Sequence, residues 1–405
     1  MIDIDWVRQQ FPALQQNMVF MDNAGGSQTL KSVMNRITQY LTECDVQLGA
    51  SYATSADAGG RLHEATEALA EWFNAAHMEE IVVGGSTTQL LRNLSLCISQ
   101  QWQPGDEVII TNSDHEANMA CWRDLQKQGI VVKTWRINPN TLQLDIDALK
   151  AMMSERTRLV AVTHASNILG TINPIQEIAD TVHQHGALIC VDGVAYVPHR
   201  PIDVRAWDVD FYTFSTYKTF GPHQAIMYGK LAVLEAMPGI NHGFIKTVPY
   251  KLQPGNFNFE LTYALPAIMD YLMDLGGSTQ PAVNKRRDGL LAGYAAIAHY
   301  EEKLAGQLLD YLNDHPKVRI IGCPQADKQL RVSTISFVHR SLSSQDIVTR
   351  MDTYNIGIRY GDFYAVELID DLGLREKEGV VRVSLVHYNT PTEVEKLIQA
   401  FEAIL

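Results

Sequence analysis

The feature that most constrains this chain is a series of short apolar runs, each ending in polar residues and each followed by a helical pattern. Ile81-Val82-Val83, Val108-Ile109-Ile110, Leu159-Val160-Ala161-Val162, Ala187-Leu188-Ile189-Cys190-Val191 and Phe211-Tyr212-Thr213-Phe214 are such runs, and Val131-Val132 opens another. Runs this short and this apolar read as strands buried on both faces. The segments 29–47, 58–76, Gln89–Gln100, Ile146–Met153 and 175–185 carry helical spacing between or before them. The expected fold class is α/β: a mostly parallel sheet covered by helices.

The pattern changes after about residue 260. Tyr263–Leu275 reads as a helix behind the loop Pro254–Glu260, and 283–314 as a long helix connecting two domains. Val318–Gly322, Arg331–Val338 and Gly379–Leu385 read as strands, Ser344–Tyr354 and Pro391–Leu405 as helices. That is a small α+β domain. A chain of 405 residues accommodates a large domain, 1–285, and a small one, 286–405. Residues 1–20, a lead-in helix before a short strand Met18–Met21, are free to pack with the small domain.

Charge and cysteine usage exclude several function classes. The chain has 33 Lys and Arg against 46 Asp and Glu, a net charge of −13 with no block of like charge. Nucleic acid and anionic membrane are therefore poor partners. No stretch approaches the roughly 20 apolar residues of a membrane span. Met-Ile-Asp-Ile-Asp-Trp does not read as a secretory signal, and a cytoplasmic protein is expected. Cys44, Cys97, Cys121, Cys190 and Cys323 are widely spaced and form no Cys-x-x-Cys pair. Neither a disulfide framework nor a metal site is expected. No cysteine follows position 323.

The strand ends carry the chemistry. His115, Asn167, Asp192 and Lys218 each follow or close a strand, and open α/β sheets bind ligands at that edge. Gly84-Gly85-Ser86-Thr87-Thr88 leads from a strand into a helix N-terminus, an anion site or simply a helix cap. Asp22-Asn23-Ala24-Gly25-Gly26 lets backbone approach something closely, or makes an ordinary turn. Lys218 follows an aromatic strand with few charged neighbours in sequence; desolvation lowers a lysine pKa, and a neutral amine can bond a carbonyl carbon. Each feature alone is ordinary. Together they suit pyridoxal 5′-phosphate: Thr87 and Thr88 for its phosphate, Lys218 for its aldehyde, Asp192 for its ring nitrogen and His115 for its ring face.

Further stretches carry a family resemblance. They are Asp22-Asn23-Ala24, Asp114-His115-Glu116-Ala117-Asn118, His164-Ala165-Ser166-Asn167 through Pro174, Val191-Asp192-Gly193, Ser215-Thr216-Tyr217-Lys218, and Val381-Arg382-Val383-Ser384 with His387-Tyr388-Asn389-Thr390. The sequence resembles the class V aminotransferase family of fold type I pyridoxal-phosphate enzymes, specifically its cysteine-desulfurase-like branch. The resemblance runs from about residue 20 to the end. It implies that Lys218 forms the Schiff base, Asp192 pairs the pyridinium and His115 stacks on the ring. It places Thr88, Ser215 and Tyr217 at the phosphate and Asn167 at the ring hydroxyl or the substrate carboxylate. It makes Arg382 the bidentate clamp on an amino acid α-carboxylate, with Ala24 and Tyr364 beside the substrate. It also implies a homodimer with shared sites, Asn258 reaching the phosphate of the partner subunit.

Three positions depart from the family pattern. Tyr217 stands where histidine is common, and Ala195 where glutamine is common. Tyr364 stands where the branch carries its persulfide-forming cysteine, after Arg359-Tyr360-Gly361. A phenol oxygen cannot hold a persulfide, which requires a thiolate. The expected activity is therefore β-elimination by a C–S lyase on cysteine or a related sulfur amino acid. Amino acid transamination, epimerisation, and a cofactor-bound scaffold without turnover are the alternatives.

Overall fold

The computed structural model describes residues 2–277 and 286–405. Seven strands form the large sheet: β1 (Ile81–Gly84), β2 (Glu107–Thr111), β3 (Val131–Trp135), β4 (Thr157–Thr163), β5 (Leu188–Asp192), β6 (Phe211–Ser215) and β7 (Ala225–Gly229). Their order is β1-β7-β6-β5-β4-β2-β3. β2 through β6 pair in parallel. β7 runs antiparallel to both β1 and β6. Every strand but β7 therefore ends at the same edge. Central strands such as β6 are buried along their whole length, as continuous apolar runs require. Apolar clusters pack on both faces of the sheet.

Four strands form the small sheet: β8 (Val318–Ile320), β9 (Thr334–His339), β10 (Arg359–Gly361) and β11 (Val380–Ser384), in the order β8-β9-β11-β10 and antiparallel throughout. Its core joins Leu304, Leu308 and Leu312 to Phe337, Val381 and Phe401.

Three helices matter below: α1 (Thr87–Ile98), α2 (Ala117–Arg123) and α3 (Arg286–Asp314). Leu290, Tyr294 and Ile297 of α3 belong to the large core, while its last three turns supply Leu304, Leu308 and Leu312 to the small one. One helix thus ties the two bodies together. The lead-in also straddles them. Val7, Phe11 and Leu14 enter the large core, whereas Val19–Phe20 pairs in parallel with Ile356–Gly357 of the small body.

The structure corrects several expected boundaries. Helices expected at 29–47 and 58–76 run over Lys31–Glu43 and Ala53–Phe73. The helix expected over Tyr263–Leu275 is two, Phe259–Ala264 and Pro266–Leu275, because a proline has no N–H to continue the first. The helix expected from Gln89 starts two residues earlier, so Thr87 and Thr88 lie in its first turn behind the cap Ser86. Residues 283–285 of the expected connecting helix lie outside the described residues. β7 and β10 were not expected as strands. Among the described residues no helix is long and apolar enough to cross a membrane.

Candidate active site

Five strand ends converge on one cleft enclosing about 530 Å³ of empty space. Thr87, Thr88, His115, Asn167, Asp192, Ser215, Tyr217 and Lys218 all line it. Their convergence follows from topology. β1 delivers α1, β2 delivers His115, β4 delivers Asn167, β5 ends at Asp192 and β6 runs into Lys218. The reversed strand β7 lies between β1 and β6. It spaces them so that the Thr87 and Ser215 hydroxyls meet at 2.7 Å. Ser86 accepts from the Gln89 N–H at 3.2 Å and fixes the start of α1. The free N–H groups and dipole of that end face the cleft beside the exposed Thr88.

Lys218 closes a single 3-10 turn, Thr216–Lys218. Thr216 pins the turn by donating to the Pro222 and Gln224 carbonyls at 2.7 and 3.0 Å. Burial lowers the Lys218 pKa to about 8; Arg382 pushes the same way and Asp192 opposes it. Burial raises Asp192 to about 6, against a 2.8 Å bond from the Val194 N–H and the attraction of Lys218. His115 falls to about 4, first through burial and then through Lys218 and Arg382. Its Nδ1 accepts from the Ala117 N–H at 3.0 Å, so the ring stays neutral at pH 7. Behind it lies Asp114, fully buried and raised to about 7 mainly by burial. It accepts from Asn118 Nδ2 at 2.7 Å and from the Thr163 N–H at 3.0 Å, joining β2 to β4.

Arg382 stands on β11, opposite Arg359 of β10. Its side chain is 2% exposed. It donates to Asp22 at 2.9 Å and to the Asn167 carbonyl at 3.2 Å, while its Nε has no partner. The Phe363 ring covers its face, 3.7 Å from Cζ. Asn167 donates to the Phe363 carbonyl at 2.9 Å, and its own Oδ1 is buried without a partner. Tyr364 is 66% exposed, with its ring 5.2 Å from that of His115. Tyr217 stacks on His223 at 4.6 Å, and Lys218 Nζ lies 5.7 Å from the tyrosine ring centre.

Four expected site residues are not part of the cleft lining: Arg382 and Tyr364 adjoin its lining residues Asn167 and His115, and Ala24 and Asn258 lie apart from it. Ala24 uses its N–H on Ser384 Oγ at 2.8 Å, and Asn258 is an exposed residue at the start of the Phe259–Ala264 helix. Sequence reasoning quoted Asp22 only within a motif and gave neither it nor Phe363 a role; their importance arises only where the small sheet meets the large one. Asp114, though quoted within a motif, gave no sign of its burial.

The aminotransferase class-V family matches residues 19–397. This chain belongs to the class V aminotransferase family. The aminotransferase-like protein FGM3 of Gibberella zeae is 43% identical over 413 residues, covering 99% of this chain and 98% of the relative. The cysteine desulfurase-like protein ustD of Aspergillus flavus is 35% identical over 417 residues, covering 100% and 91%. The crystal structure of the Escherichia coli cysteine desulfurase CsdA matches with a TM-score of 0.85 at 27% identity, covering 100% of this chain and 98% of that one. Class V aminotransferases and cysteine desulfurases are pyridoxal-phosphate enzymes, and this member is one of them.

The cleft suits the family's cofactor. An anion-binding helix end with two hydroxyl residues, a lysine of lowered pKa, a buried carboxylate and a neutral imidazole surround one space. Ala165 and Ala195, small side chains, leave room for a flat ring. Asn167 Oδ1 is an open acceptor beside that space. No cysteine lines the cleft: four of the five are buried and Cys323 is half-buried.

Proposed function

We propose that this class V aminotransferase is a lyase of β-elimination type, acting on cysteine or a related sulfur amino acid. The observation that supports the reading is a cleft lined by Thr87, Thr88, His115, Asn167, Asp192, Ser215, Tyr217 and Lys218, with the Tyr364 phenol ring against His115 and no cysteine in the lining. Bound pyridoxal phosphate supplies an electron sink that weakens the bonds at the substrate α-carbon. The α1 N-terminus, Thr87, Thr88 and Ser215 would hold its phosphate, with Tyr217 beside them. Asp192 would hold the ring nitrogen protonated, His115 would cover the ring face, and Asn167 Oδ1 would take the ring hydroxyl.

Lys218 Nζ would hold the cofactor's aldehyde carbon in the resting enzyme and, as the nearest buried amine, would carry the substrate's α-proton. Its pKa of about 8 leaves a useful fraction neutral near pH 7. Arg382 takes the α-carboxylate through its planar fork. The sulfur leaves Cβ as a free thiol or hydrogen sulfide, and water hydrolyses the released enamine, the water oxygen becoming the keto oxygen of pyruvate and the enamine nitrogen leaving as ammonia. With Tyr364 in place there is no enzyme thiolate to retain the sulfur. Asn258 acts in trans, reaching the phosphate across a homodimer.

Holoenzyme incubated with L-cysteine is expected to release sulfide, pyruvate and ammonia in equal amounts. A pyridoxamine spectrum with a keto acid would assign transamination instead. Racemisation without new products would assign epimerisation, and complete inertness a scaffold. Lys218→Ala is expected to abolish the covalent visible absorbance of the cofactor. Sedimentation tests the dimer: a monomeric holoenzyme would remove the role given to Asn258.

A further inference from the structure

Phe363 sits at the seam between the two sheets and has had no role so far. It is 7% exposed and counts among the large core, so simple apolar filling is the plain alternative. Its setting points elsewhere. A guanidinium receives a carboxylate at its edge, in its own plane. The Phe363 ring lies against the face of Arg382 instead, 3.7 Å from Cζ. In-plane, Asp22 and the Asn167 carbonyl take the two terminal nitrogens at 2.9 and 3.2 Å. The plane is therefore fixed by three contacts. Nε remains buried with no partner, a donor whose desolvation a ligand would relieve.

Phe363 is itself held firmly. Phe363 and Tyr364 have φ of 50° and 60°, two successive non-glycine residues in the left-handed region. Such backbone persists where surrounding contacts over-determine it. Here Asn167 Nδ2 donates to the Phe363 carbonyl at 2.9 Å and the Glu116 N–H to the Tyr364 carbonyl at 2.7 Å. Asn167, Phe363 and Arg382 thus close a triangle of contacts beside the cleft.

We propose that Phe363 is the positioning residue that makes this site selective for an α-carboxylate, by holding the plane of the Arg382 fork. The inference rests on reading Arg382 as the carboxylate partner. A filler could be replaced by any apolar side chain of similar reach; a platform needs an aromatic face.

The test uses holoenzyme and two probes, L-alanine and ethylamine, which differ by the carboxylate. Binding is read from the change in cofactor absorbance and does not require elimination chemistry. Phe363→Leu is expected to weaken L-alanine about tenfold, the loss of a desolvated cation–π contact, and to change ethylamine less than about twofold. Phe363→Tyr, which keeps the ring, is expected to restore the preference. Equal weakening of both probes, or no change in either, would overturn the proposal in favour of simple packing. Arg382→Lys separates the two readings. If it leaves L-alanine binding intact, Arg382 is not the carboxylate partner and the proposal falls with it. If it weakens L-alanine while Phe363→Leu preserves the preference, only the role of Phe363 falls.

Discussion

Lys218 shows how a residue's surroundings become a rate. Burial and Arg382 favour its neutral form, while Asp192 favours its charged form, and the balance lies at about 8 rather than 10.5. Only the neutral amine attacks a carbonyl carbon. Below pH 8 the neutral fraction therefore rises about tenfold per pH unit, then levels. Cofactor uptake by cofactor-free protein, followed as growth of visible absorbance, is expected to rise with pH and flatten near pH 8. Asp192→Asn removes the group that raises the lysine pKa, so the inflection is expected to move to lower pH. An inflection unmoved, or moved upward, would break the electrostatic link between the two residues. Lys218 and Asp192 were legible in the sequence because each closes an apolar strand. Asp22 and Phe363 were not, because nothing local distinguishes them; they matter through Arg382, some 360 and 19 residues away in the chain.

At the scale of elements, the phosphate site we propose depends on where α1 begins and on what spaces β1 from β6. Ser86 caps the helix and Thr88 stands exposed at its first turn, lining the cleft. Thr88→Val keeps shape and branching but removes a hydroxyl. A hydrogen bond to a charged group contributes about 1.5–3 kcal/mol, so cofactor affinity is expected to fall roughly ten- to a hundredfold. Thermal stability of the cofactor-free protein should change little, because Thr88 is not packed in the core. Competition by inorganic phosphate offers a second measurement, and should be weaker in the variant. The sequence signalled this strand–turn–helix unit through its small residues, although the boundary fell two residues late. β7 escaped notice for a physical reason. The run Ala225-Ile226-Met227-Tyr228 follows the Gly221-Pro222 turn with no helical pattern between it and the preceding strand, so it does not fit the strand-then-helix alternation that marks the others. Yet β7, running against its neighbours, brings Thr87 and Ser215 within 2.7 Å.

For the whole molecule, the question is what holds the seam between the two bodies, where Arg382 and Phe363 meet Asn167 of the cleft. α3 crosses the seam, and the interior around it is not purely apolar. His199 and Ser333 both bond Glu301 of α3, at 2.8 and 2.9 Å. Nearby His387 is fully buried, with Nε2 2.6 Å from Tyr271 Oη and Nδ1 unpartnered. Burial, aided by repulsion from His199, lowers His387 from 6.5 to about 3. The sign follows directly. Between pH 6.5 and 3 the unfolded chain takes up a proton that folded His387 refuses, so stability is lost as pH falls through that window. The contribution is complete above pH 6.5 and approaches about 1.4 kcal/mol per pH unit within the window. No sequence pattern reveals this, because a buried histidine and a surface histidine are spelled alike. His387→Phe leaves Tyr271 without its partner, which lowers stability by an amount that does not vary with pH over this range. It also removes the proton-linked loss. A plot of Tm against pH is therefore expected to start lower in the variant and to decline less steeply below pH 6.5. Parallel slopes for the two proteins would show that His387 can take its proton in the folded state, and the seam would then owe its acid sensitivity to other groups.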